Sequence, residues 1–290
     1  MVIDALLDAA IDSLKLIPFL FLTYLLMEYL EHKAGKKTEM LVKRSGKWGP
    51  FLGGMLGVVP QCGFSAAGSN LYAGRVITMG TLIAIYLSTS DEMLPILISE
   101  KADPALILRI LGLKALIGVA CGFITDVFIS RFVERSTHMA PATRETHIVE
   151  ICEQEHCNCS DENIFMSAVK HTLQVLIFIF LISLVINVLI GFVGEDNFGS
   201  FLAGNNVLGV LLSGLVGLVP NCAASVVITQ LYLEGLLGFG AMMSGLLVGA
   251  GVGLLVLFRI NESLKENLAI TGLLYAFGVC AGFALSLFFG

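Results

Sequence analysis

Apolar residues fall along this chain in eight long runs, near 6–30, 49–74, 76–98, 104–132, 164–193, 205–233, 235–258 and 266–289. Runs this dense predict helices that enter a bilayer, because about 20 apolar residues span its hydrocarbon core. The one long polar stretch is 133–163, so the chain divides into a first membrane repeat over 1–132, a linker over 133–163 and a second membrane repeat over 164–290. Asp4, Asp8 and Asp12 stand where a secretory signal carries Lys or Arg, so the first run is expected to be a retained helix.

Sliding the chain against itself by 160 residues aligns 51–130 with 211–290 without a gap, and 22 of 80 positions are identical. Generic Leu and Gly explain some of these identities. They do not explain Pro60/Pro220, Cys62/Cys222, Ser65/Ser225, Leu71-Tyr72/Leu231-Tyr232, or Gly118-Val119-x-x-Gly122-Phe123 against Gly278-Val279-x-x-Gly282-Phe283. An internal duplication follows.

Lys and Arg set the orientation. Lys33, Lys36, Lys37, Lys43, Arg44 and Lys47 follow the first run, and Arg131, Arg135, Arg144 and Lys170 flank or occupy the linker, so both regions are expected in the cytoplasm. Three apolar runs separate them, an odd number, so one must enter and leave on the same side. Run 49–74 fits, since Gly53, Gly54, Gly57, Pro60, Gly63 and Gly68 are expected to break a smooth helix, with Pro60-Gln61-Cys62 at the tip of a hairpin. Run 205–233 is its counterpart. Glu195 and Asp196 then lie outside, and Arg259 and Lys265 return to the cytoplasm. The expected fold is an all-α polytopic membrane protein of two inverted-topology repeats. Each has three spanning helices and a broken helical hairpin, about ten short spans in all, with the linker inside and both termini outside.

Composition narrows the function. Of 290 residues, 56% are hydrophobic and 14% charged, where a soluble domain has about 25% charged; an ordinary soluble enzyme is excluded. A net charge of -6 argues against nucleic acid as a partner. Seven Cys without regular spacing do not suggest a disulfide framework. No Gly-x-x-x-x-Gly-Lys-Ser/Thr loop marks an ATPase. Secondary transport is the expectation, with no catalytic residue and no cofactor. The partners are then a metal or metalloid ion as substrate and the lipid bilayer, with room for a homodimer.

The candidate chemistry is concentrated in three places. Pro60-Gln61-Cys62-Gly63-Phe64-Ser65 and Pro220-Asn221-Cys222-Ala223-Ala224-Ser225 each set a carboxamide, a thiol and a hydroxyl beside a helix break. Thiolates suit soft ions, and Gln61, Asn221, Ser65 and Ser225 add neutral oxygens. The bland alternative is that a buried Cys is a small hydrophobe, which is preferred for Cys121 and Cys280 because they are not equivalent in the repeat. Asp91 and Glu92 lie inside the third run, opposite Gly251 and Val252, and read either as a coupling or hard-ligand pair or as interfacial carboxylates. Asp126 and Lys114 in the next run are alternatives to that pair or could form a structural pair, although their spacing of twelve is too long for direct contact along one helix. In the linker, Cys152, His156, Cys157 and Cys159 supply four donors within eight residues, enough for a four-coordinate metal, although incidental thiols would read the same way.

These motifs together resemble a known family. The two Pro-x-Cys-x-x-Ser hairpins are joined by Ser88-Thr89-Ser90-Asp91-Glu92-Met93-Leu94-Pro95, an opening Pro18-Phe19-Leu20-Phe21 helix ending in Glu28-Tyr29-Leu30-Glu31-His32-Lys33, and the Cys/His linker. Nearly the whole chain is similar to the bacterial ten-span heavy-metal exporters, labelled arsenic efflux proteins or manganese transporters and distantly like organoarsenical permeases. The resemblance implies an inner-membrane permease that exports a metal or metalloid. Whether the ion is arsenite-like and thiol-bound, or Mn²⁺ held by oxygen ligands, stays open. So do an intramembrane thiol oxidoreductase built on Cys62 and Cys222 and a metal-sensing membrane subunit.

Overall fold

The computed structural model describes residues 48–58, 62–90, 93–136, 206–220 and 222–289, with scattered helical positions in 14–25 and 165–184. In the first half, α1 is Gly49–Gly57, α2 Cys62–Ala73, α3 Met79–Ser88, α4 Met93–Ser99 and α5 Pro104–Ser136. In the second, α6 is Asn206–Gly217, α7 Cys222–Leu233, α8 Phe239–Val248, α9 Val252–Ile260 and α10 Leu264–Phe289. Moved by 160 residues, α2 and α3 coincide with α7 and α8 at both ends. The duplication is thus carried by the helices as well as by the residues.

Local chemistry explains the boundaries. Thr78 caps α3 by accepting the Thr81 N–H at 3.1 Å. Asp103 accepts the Ala105 N–H at 3.0 Å ahead of Pro104, which needs no donor in the first turn of α5. Ser263 caps α10 by accepting the Glu266 N–H at 3.4 Å. The ends of α2 and α7 repeat the same stop: Val76 N–H reaches the Leu71 carbonyl at 2.8 Å and Leu236 N–H reaches that of Leu231 at 2.9 Å. This closure places one residue in the left-handed region. That residue is Gly235 at φ 74° in the second half but Arg75 at φ 58° in the first, where a side chain makes it costly.

Among the described residues, four apolar stretches are long enough to cross a membrane: Met79–Ser99, Pro104–Phe128, Phe239–Ile260 and Leu264–Phe289. Two of these contain a break that hydropathy alone reads as continuous. The runs expected as single spans at 76–98 and 235–258 are each divided, into α3 and α4 and into α8 and α9. Thr89 and Ser90 leave α3 in non-helical conformation, and Gly249, Ala250 and Gly251 separate α8 from α9. At φ 53° and ψ -139°, Gly251 occupies a backbone conformation open to glycine.

The broken stretches form the interior and the unbroken ones the rim. Every residue of α3 from Gly80 and every residue of α8 is buried. By contrast α5 and α10 turn Leu108, Leu116, Phe128, Leu264, Leu268, Leu287 and Phe288 outward, the face that lipid would cover.

Most of the glycines expected to break helices do not. Gly53, Gly54 and Gly57 lie within α1, and Gly63 and Gly68 within α2. They bring helices together: a Cβ on Gly57 would collide with Ser88 Oγ, one on Gly122 would stand 2.6 Å from the Gly80 carbonyl, and one on Gly282 would stand 2.8 Å from that of Gly240. Small residues at membrane-helix contacts allow this approach. The expected break itself is present, because α1 ends at Gly57 and α2 starts at Cys62, with Pro220 in the matching connection between α6 and α7.

Candidate transport centre

Each hairpin arm is short: nine residues of α1 rise about 14 Å and twelve of α2 about 18 Å, against roughly 30 Å of hydrocarbon. Neither α1 nor α2 alone is long enough to cross that thickness. Gly49 lies against Thr81 and Gly57 against Ser88, so α1 runs parallel to α3 and its end arrives beside the break after α3. A hydrogen bond fixes the meeting: Ser90 Oγ donates to the Val58 carbonyl at 2.8 Å. The end of α1 and the break after α3 thus meet. In the second half, a Cβ on Gly249 would contact the Gly217 carbonyl at 4.0 Å, so the second tip meets the second break in the same way.

The two halves then exchange partners. α2 packs on α9, and α7 packs on α4. At the start of α2, Ser65 approaches Gly253 so closely that a Cβ on the glycine would stand 2.7 Å from Ser65 Cβ. Ser69 Oγ lies 2.7 Å from the Gly253 carbonyl, 2.8 Å from that of Ser65 and 2.7 Å from the Tyr86 hydroxyl, itself 3.1 Å from Gly253 O. Two hydroxyl protons thus tie three helices, α2, α3 and α9. At the other end of this contact, Arg75 donates to Glu266 through Nη1 at 2.9 Å and Nη2 at 3.3 Å, and Tyr72 OH donates to the same carboxylate at 3.2 Å. Burial pulls the Arg75 pKa down, Glu266 pushes it up, and the net direction is up. So α2 and α9 lie parallel with their N-terminal ends together, next to the first tip and the second break.

The chemistry at the two breaks is unequal. Ser88-Thr89-Ser90 are all buried, and their counterparts are Val248, Gly249 and Ala250. Tyr86 faces Ser69 where the second half has Leu246, and Lys114 replaces Leu274. Lys114 is 1% exposed, and its ammonium donates to the Leu246 carbonyl in the last turn of α8. Asp126 is used elsewhere: Oδ2 accepts from Thr78 Oγ at 2.7 Å and Oδ1 from the Gly80 N–H at 2.9 Å, anchoring the start of α3. Asp126 and Lys114 thus serve different contacts. Residue reasoning missed Tyr86, Ser69 and the role of Lys114; the mismatch between repeat positions was the available signal for Lys114.

Of the expected site residues, Ser65 is buried against Gly253, and Ser225 is half-buried in α7. Cys62 and Cys222 open α2 and α7, which is as much as is described of them. Gln61, Asn221, Asp91, Glu92 and the linker residues Cys152, His156, Cys157 and Cys159 lie outside the described residues. Among the described residues no three His, Cys, Asp or Glu side chains gather to hold a metal. Cys121 is half-buried and Cys280 exposed, both as free thiols.

A buried core of broken helices, two short hairpins and an outward apolar rim describe a multi-pass membrane protein with an interior polar locus. The family described as "Putative, 10TM heavy-metal exporter" matches residues 1–196. The chain belongs to this family. The match takes in the first hairpin, the first break and the linker of this exporter-family chain. No curated protein and no solved structure matches it.

Proposed function

We propose that this chain is a secondary transporter of the bacterial inner membrane that exports a heavy-metal or metalloid ion by alternating access. The observation that carries the reading is the convergence of two hairpin tips and two helix breaks, joined by Ser90 to Val58 and by Ser65 and Ser69 to Gly253. Irregular backbone at membrane depth is tolerated where it is buried in protein or lines a substrate cavity.

The reading takes the repeats as inverted. α2 runs antiparallel to α3, since Gly68 lies against Ile85 across a short turn, and it runs parallel to α9. The broken span containing α9 thus runs against the one containing α3, its counterpart. With the Lys-rich loop before α1 inside, the Arg75–Glu266 pair falls at the cytoplasmic end, in line with Arg259 and Lys265 there. The linker is then cytoplasmic and the termini outside. Its Cys152, His156, Cys157 and Cys159 would capture the ion before export.

In this mechanism Cys62 and Cys222 supply soft thiolates, Gln61, Asn221, Ser65 and Ser225 supply neutral oxygens, and Asp91 and Glu92 supply hard charge. One repeat rocks against the other, and the cytoplasmic tie of Arg75 and Tyr72 to Glu266 holds α2 against the second half when that side is closed. The outer counterparts, Gly235 and Leu106, offer no such pair. A soft ion is favoured by the paired thiols; the run Ser88-Thr89-Ser90-Asp91-Glu92 favours Mn²⁺ as the second reading.

The test is flux in liposomes containing the purified chain, across arsenite, Mn²⁺, Zn²⁺ and Co²⁺, with and without a pH gradient. The expected result is movement of one class of ion, lost in Cys62→Ser and Cys222→Ser for a soft ion or in Asp91→Asn for Mn²⁺. No movement of any of them above protein-free liposomes overturns the proposal.

A further inference from the structure

We propose that this chain favours a state closed toward the cytoplasm and looser toward the outside, because the seam of α2 on α9 fits closely and the matching seam of α7 on α4 does not. The inference rests on the transport reading above and on its orientation of the two halves. Small side chains make the first fit. Ala66 and Ala73, seven residues apart on one face of α2, form a buried apolar cluster with Val252, Val256 and Ile260 of α9. Gly253 admits the start of α2 to backbone contact, and the Arg75–Glu266 pair closes the far end.

A shift of 160 residues gives the matching positions of the second seam, where the residues add bulk or charge. Val226 stands for Ala66, Leu233 for Ala73, Met93 for Gly253, Glu100 for Ile260 and Glu92 for Val252. Burial follows the same division. Ala66 is 0% exposed and Ala73 6%, whereas Val226 is half-buried and Leu233 is 36% exposed. Ile260 and Asn261 are buried, and Glu100 and Lys101 are exposed. The hydroxyls divide as well. Ser69 Oγ lies 2.7 Å from the Gly253 carbonyl across the seam, and Thr229, its counterpart, donates to the Ser225 carbonyl of its own helix at 2.6 Å.

Met93 is the wedge. A single Cβ at Gly253 would already stand 2.7 Å from Ser65 Cβ, and at the matching position Met93 carries a whole thioether chain that is buried. With Leu97, also buried, it keeps the second seam packed beside the break, and the seam loosens toward the far ends of α4 and α7. α7 therefore cannot take on α4 the approach that α2 takes on α9. Rocking that opens the cytoplasmic side must break the close seam and gains only the loose one. Opening there is thus the minor state, and an ion arriving from the cytoplasm is bound only as the first seam parts. The export cycle then has its gate on the side where the ion is collected.

The experiment places one cysteine on each seam, by Ala73→Cys or Leu233→Cys, in the full chain otherwise lacking cysteine. Alkylation by a membrane-impermeant maleimide is measured in inside-out vesicles for Ala73→Cys and in right-side-out vesicles for Leu233→Cys, each rate divided by that of the same thiol in the denatured chain. The expected result is labelling of Leu233→Cys about tenfold or more faster than Ala73→Cys. The rate at Ala73→Cys should rise several-fold when Gly253→Met copies the first half's residue into the close seam, and the rate at Leu233→Cys should fall several-fold when Met93→Gly removes the wedge. Equal rates at the two sites, or unchanged rates in either variant, overturn the proposal. Should Gly253→Met not accumulate, the comparison between the two sites still decides. Failure of ion flux in liposomes would sink the transport reading and leave these labelling rates untouched.

Discussion

Gly253 is where the first hairpin touches the second break, and adding one methyl group there should separate them. A Cβ at this position would lie 2.7 Å from Ser65 Cβ, 2.9 Å from Ser65 Oγ and 2.9 Å from its backbone carbon. Ordinary contacts between carbons begin near 3.5 Å, so α2 and α9 must part by something approaching 1 Å. The backbone atom in that list cannot swing aside as a side chain does. Overpacking of this kind costs about 1–3 kcal/mol, and separation also stretches the bonds from Ser69 and Tyr86 to the Gly253 carbonyl. Gly253→Ala should therefore melt several degrees below the natural protein and lose ion flux in liposomes. Gly272→Ala is the control: nothing lies within 4 Å of its added Cβ, and alanine favours the helix by about 1 kcal/mol. Equal melting temperatures for Gly253→Ala and Gly272→Ala would refute the contact.

Other consequences follow from the same geometry. Arg75→Met removes the bidentate pair with Glu266, whose side chains are 30% and 34% exposed; after discounting for solvent the loss is about 1 kcal/mol, near fivefold in a two-state balance. Thiol labelling from the cytoplasmic face should accordingly rise in that variant, and unchanged labelling would remove the pair from gating. Asp126→Ala frees the Thr78 hydroxyl and the Gly80 N–H at the start of α3, at a cost of about 1–2 kcal/mol; a melting temperature equal to the natural protein's would show that water replaces the carboxylate. Cys121→Ser and Cys280→Ser should leave flux intact, and loss in either would mean that the bland reading of these thiols is mistaken.

The sequence carried the duplication because Pro220, Cys222 and the Gly278 and Gly282 pair kept their spacing from Pro60, Cys62, Gly118 and Gly122. It also carried the two hairpins, since proline between short apolar arms leaves few alternatives. The breaks after Ser88 and Val248 were hidden. Hydropathy stays high through Gly249-Ala250-Gly251, and Ser88-Thr89-Ser90 are tolerated in a membrane helix, so each run read as one span. The exchange of α2 and α9 is a contact between positions nearly 190 residues apart, for example Ser69 with Gly253, and no local pattern encodes it. Glycine misleads for a related reason: Gly54 reads as a helix breaker but lies inside α1, where the Val119 side chain occupies the space of its missing Cβ. Lys114 is visible in the sequence as a charge, but its bond to the Leu246 carbonyl of the other half is not.

Alkylation of Cys62 and Cys222 in a chain otherwise lacking cysteine, measured in right-side-out and inside-out vesicles with and without each ion of the flux panel, tests the central claim most directly. The account predicts that both thiols are reached from either face and that the transported ion shields both together. Thiols reached from one face each, with no ion protecting them, would contradict a shared centre between the two hairpins.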